Sequence, residues 1–127
     1  MVVGRPAEHA MTLTARPGLR PLLMDWYGVR SVYRNSGGNE PDAYEERVVL
    51  FRAEDFEAAI ALAEAEAARY AEVLECAVTS CFQAYLLPEA PGEGAEVFSL
   101  IRNSVLTPEA YLDHFFNTGD ERQGIVE

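Results

Sequence analysis

Apolar and polar residues alternate with period two over residues 26–34. Tyr27, Val29, Ser31 and Tyr33 fall on one face; Trp26, Gly28, Arg30, Val32 and Arg34 fall on the other. This predicts a strand with one packed face and one partly solvated face. Residues 35–42 are dense in turn formers. A second strand is expected over 44–53, where Val49, Phe51 and Ala53 face one way and Val48 and Leu50 the other. Two apolar faces predict a central strand covered on both sides. Its charged start, Glu45-Glu46-Arg47, predicts a carboxylate–guanidinium pair with the Arg-bearing first strand.

From 56 to 74 the period changes to that of a helix. Glu54 and Asp55 supply the N-cap and an acidic first turn. Phe56, Ala59, Ile60, Ala63, Ala67, Tyr70 and Leu74 form the expected packed stripe, with Glu66 intruding on its flank. The stripe is rich in alanine, so the helix can approach a sheet closely. Strands are then predicted over 76–87 and 96–106, separated by a loop at 88–94. Thr107-Pro108-Glu109 starts a short helix over 108–116, with Gly119 to close it. The order ββαββα predicts an α+β fold. It is a mostly antiparallel four-stranded sheet with the long helix on one face and a short C-terminal helix. One helix covers one face. The terminal helix, through Tyr111, Leu112, Phe115 and Phe116, and a second subunit are the expected covers for the other, which predicts a homodimer.

The domain is expected over 25–119, with a polar tail at 120–127. Residues 1–24 read as a flexible, proline-punctuated arm of charge +2, leaving -13 on the remainder of a chain of net charge -11. Met11 and Met24 leave room for the domain to start near Met24. The excess of acid argues against nucleic-acid and anionic-membrane partners, both polyanions. No apolar run approaches the roughly 20 residues of a membrane span, and the opening residues do not form a secretory signal. Cys76 and Cys81 do not make a disulfide pattern, so a reducing cytoplasm is expected. On one regular strand they would point to opposite faces. All ten basic residues are Arg and none is Lys, which with heavy Ala and Glu use is the composition of a GC-rich bacterial genome.

Three stretches carry a family likeness: Trp26-Tyr27-x-Val29-Arg30, the run from Tyr44 to Ala53, and Phe56-Glu57-x-Ala59-Ile60-x-x-Ala63-Glu64. Over residues 25–115 the chain resembles a family of small bacterial proteins known as domain of unknown function 4288. The resemblance supports the domain boundary and, since that family has no assigned activity, implies no catalytic residue.

Several constellations bear on chemistry. Cys76, Cys81, His9 and His114 are the nucleophile and base types present, but small apolar burial is the plainer role for the thiols. Glu109, Asp113 and His114 cluster on the last helix and read as a solvated face; no metal site is predicted. Ser36-Gly37-Gly38-Asn39 joins two strands and precedes no helix, so it is not a phosphate loop. No motif calls for a cofactor. The candidate binding patch is Trp26, Arg30, Tyr44, Glu46 and Arg47, residue types favoured at protein interfaces, together with Glu66, which is otherwise expected to reach water or to pair with Arg47, Arg30 or Arg69. Three functions follow: a non-catalytic, homodimeric protein-interaction module; an immunity or inhibitor protein that neutralises a basic toxin or nuclease; and a small-ligand binder or enzyme with a cleft walled by Tyr27, Arg30, Glu66 and Tyr85. The first fits the residues best.

Overall fold

The sheet is built around β1, Asp25–Asn35. Its Tyr27, Val29, Ser31 and Tyr33 are all buried, as the alternation predicts. The computed structural model describes residues 24–38 and 41–123. The arm expected over 1–24 lies outside them except for Met24, as do the last four residues of the tail. Strand β2, Ala43–Ala53, pairs antiparallel with one edge of β1, and β3, Ala77–Leu86, with the other.

Between β2 and β3 runs α1, Phe56–Leu74. The Asp55 carboxylate accepts from the Ala58 amide at 2.8 Å and caps its start. Phe56, Ala59, Ile60, Ala63, Ala67 and Ala71 are buried against the sheet. Ala71 takes the place expected for Leu74, which is exposed; the stripe drifts as 3.6-residue turns accumulate, and Tyr70 is left half-buried on the flank. The Phe56 ring meets Tyr27 edge-on at 5.0 Å.

The architecture is α+β and antiparallel, but the sheet has three strands in the order β2-β1-β3, not four. Residues 96–106 form no strand, so the element order is ββαβα rather than ββαββα. The cause lies on the sheet face away from α1, the open face. Tyr85 of β3 sits opposite Gly28, where a Cβ would lie 2.9 Å from the end of its ring. Phe98 meets that ring edge-on at 5.5 Å, and the Arg30 guanidinium lies 5.3 Å from the Phe98 ring centre. Phe98 is thereby drawn onto the face of the sheet instead of alongside β3. Strand β2 is likewise an edge strand, not a central one. Its second apolar face, with Val48, lies on the open face and is exposed.

In β3, Thr79, Ser80 and Cys81 bulge opposite Val32, and the Thr79 hydroxyl donates to the Val32 carbonyl at 2.9 Å. The bulge, and Cys76 lying before the strand, remove the simple opposite-face relation expected of the two cysteines. Both are free and half-buried. Helix α2, Pro108–Tyr111, is capped by Thr107 and continues as a π-helical turn, Leu112–Phe116, in which the Asn117 amide reaches the Leu112 carbonyl. It does not cover the open face. Arg102 captures it instead, donating to the Tyr111 hydroxyl at 3.1 Å and lying 4.4 Å from the Phe115 ring centre. Residues 96–116 thus form a limb that folds on itself. Behind it, Glu121 accepts from the Thr118 and Gly119 amides, tying down the described part of the tail.

Helix α1 ends on Glu75, a non-glycine residue at φ 58°. The left-handed conformation costs an L-residue roughly 1–2 kcal/mol, and a carboxylate here also opposes the helix dipole. Glu75→Gly is expected to stabilise the fold by about 1 kcal/mol, read as a higher urea midpoint with unchanged slope.

Candidate functional site

The sheet divides the six candidate residues between its two sides. Arg47 and Glu66 lie on the side of α1; Trp26, Arg30, Tyr44 and Glu46 lie on the open face, as the pairing register requires.

On the helix side, Arg47 is the hub. Its guanidinium donates to both Glu66 carboxylate oxygens, at 3.3 and 3.0 Å, and to the Tyr33 hydroxyl at 3.0 Å. It stacks 3.5 Å from the Tyr70 ring centre and 5.5 Å from that of Tyr33. Tyr33 also receives the Ser31 hydroxyl at 2.8 Å, which satisfies the one polar side chain in the core. Tyr70 donates to both oxygens of Glu45, at 2.7 and 2.9 Å. Burial works to lower the Arg47 pKa, but its bonds to Glu66 and Tyr33 more than reverse this, and the net direction is upward. Burial first, and then the bond to Glu45, push Tyr70 up to about 12. This cluster fastens α1 to β2. Its donors and acceptors are already engaged with one another, so it is a lock rather than a receptor.

On the open face Arg30 donates to Glu46 at 2.8 Å and, more weakly, to Gln83 at 3.4 Å. The Arg30–Glu46 bond is the cross-strand pair the charge pattern predicts. Arg52 lies 5.7 Å from the Trp26 ring centre, and Tyr44 is exposed at the far end of the same face. The Tyr85 hydroxyl is buried without a hydrogen-bond partner among the described residues. Burial, and then the Glu96 carboxylate, push it up to about 12. The four residues of the expected cleft do not meet, because Tyr27 and Glu66 lie on the helix side while Arg30 and Tyr85 lie on the open face.

The sequence reading missed the limb. Nine of the fifteen large hydrophobic side chains exposed among the described residues lie between Val97 and Phe116, which makes this the main apolar surface. Ile101 is 87% exposed and Val105 fully so. A shallow groove of about 350 Å³ runs between Arg102, Leu106 and Tyr111. The adjacent apolar pair Leu100-Ile101, which cannot be buried on one strand face, was the available signal. Among the described residues, no three His, Cys, Asp or Glu side chains are placed to hold a metal ion, and no helix is long and apolar enough to cross a membrane. No family model, curated protein or solved structure matches the chain.

Arg47→Lys keeps the charge but loses the two-pronged bond and the planar stack on Tyr70. Since Arg47 and Glu66 are each about a quarter exposed or less, the expected loss is about 1–2 kcal/mol, measured by urea unfolding. Tyr70 and Tyr85 are expected to ionise late in an alkaline titration of phenolate absorbance, and Tyr70→Phe and Tyr85→Phe should each remove one late step. The folded state holds these protons after the unfolded chain, with its tyrosines near 10, has released them. Stability contributed by the two groups is therefore complete below pH about 10 and is lost as pH rises towards 12.

Proposed function

We propose that this protein is a non-catalytic protein-interaction module that acts as a homodimer. The observation that carries this reading is the concentration of exposed apolar side chains on the limb between Val97 and Phe116. Apolar patches of this kind on a soluble body mark association surfaces. The open face adds Trp26, Arg30, Tyr44 and Glu46, residue types found at interfaces. The free thiols of Cys76 and Cys81 favour a reducing cytoplasm. The motifs in which residues 25–115 resemble domain of unknown function 4288 form β1, β2 and the first half of α1.

A second reading is favoured by charge. A net charge of -11 would steer association with a basic toxin or nuclease, and such binding would weaken as salt rises.

Light scattering of the full chain across a range of concentrations is expected to give a particle of twice the 14.1 kDa chain mass. A particle of single mass that binds neither itself nor a basic protein would refute both readings.

A further inference from the structure

We propose that the limb is exchanged between two copies of this chain, each limb from Leu100 onward packing on the other copy. The proposal rests on the homodimer reading and names its device. Residues 97–106 have the composition of a strand, yet they pair with nothing in their own sheet. That sheet ends in two strands, β2 and β3, each unpaired on its outer edge among the described residues. One chain therefore carries both an unplaced strand-like segment and the free sheet edges that such a segment fits. A second copy supplies an edge for each segment, and strand addition of this kind uses main-chain hydrogen bonds that any extended segment can make.

The geometry at the root sets the direction. Phe98 is held on its own sheet by Tyr85 and Arg30, while three residues further on Ile101 is almost wholly in solvent. A ten-residue extended stretch reaches roughly 33 Å, whereas three strands span roughly 10 Å between their outer axes. The limb is thus long enough to pass beyond its own sheet.

Charge favours a second copy over a looser association of bodies. Residues 97–108 contain no acidic side chain, and their single charge is Arg102. In a chain of net charge -11 this stretch adds no repulsion of its own towards another copy. The two bodies still repel each other, so added salt should tighten the dimer by screening them, opposite to the behaviour of a complex with a basic partner.

The test uses the full chain and the double variant Ile101→Asp, Val105→Asp. Both side chains point into solvent in the protomer, so the variant should keep the circular dichroism and cooperative unfolding of a folded chain. Phe116→Asp, three-quarters exposed, serves as a second variant. Light scattering gives the mass, and hydrogen exchange reports amides 99–106. The expected result is a dimer whose limb amides are protected, and variants whose dimer dissociation constant is weakened by at least about 100-fold with those amides unprotected. A wild-type dimer that the variants leave intact overturns limb exchange while the interaction reading stands. A wild-type chain of single mass overturns the exchange, whether its limb is bare or covered by another part of the same chain. If that chain also binds no protein, the interaction reading falls with it.

Discussion

The seam between four alanines of α1 and the inward side chains of β1 decides the rest of the structure. Ala59, Ala63, Ala67 and Ala71 bring the helix backbone close to the sheet, where Tyr27, Val29 and Tyr33 of the strand fill the seam with Phe56 and Ile60 from the first turns of the helix. Beyond Ile60 the buried face of the helix is alanine alone, which leaves rotation of that half poorly defined, because one alanine packs much like another. Arg47 removes the ambiguity. It reaches from β2 to Glu66 and lies against Tyr70, both of them on α1. Glu45 receives the Tyr70 hydroxyl from the same strand. The charged start of β2 is therefore the part that fixes the helix, and its apolar half adds Phe51 and Ala53 to the core.

Much of this was legible before any coordinates. Period-two alternation located the buried face of β1 residue by residue, and the 3.6 period placed α1 directly after the acidic pair Glu54-Asp55, of which Asp55 is the N-cap. These signals are strong because burial on one side of a regular element leaves a mark at every turn. A cross-strand carboxylate–guanidinium pair was legible too, and Arg30–Glu46 is that pair; Arg47 was one of three arginines open to Glu66, and the fold selects it. The two mistakes share one cause. In β2 and in residues 96–106, apolar residues on both faces were read as the mark of strands covered on two sides. The pattern marks which side chains are apolar, not which of them the fold hides. Nor could it separate a strand from an extended run that crosses a sheet face, since both alternate alike. Thr79, whose hydroxyl supports the β3 bulge, left no signal beyond an ordinary polar residue in a strand. The candidate patch failed as a unit for a simpler reason. Neighbouring strand residues point to opposite sides, so Glu46 and Arg47, adjacent in sequence, serve different surfaces.

The two sides of the sheet have divided the work. The helix side is occupied with holding the fold, and its polar groups are matched among themselves. The open face and the limb carry most of the large apolar side chains exposed among the described residues. Charge and apolar surface are segregated along the chain. Acids concentrate on the body, and residues 97–108 hold none.

Gly28 has a consequence that reaches beyond this molecule. A Cβ at that position would stand 2.9 Å from the tip of the Tyr85 ring, and Phe98 meets the same ring edge-on. The three positions are in contact through that ring. Among diverged versions of this chain, a bulkier residue at 28 requires the ring at 85 to shift or shrink, and a shift there moves the partner of 98. Size at these three sites should therefore be inherited as a set, a signature that a sequence alignment would register as covariation between a strand interior and a segment some seventy residues away.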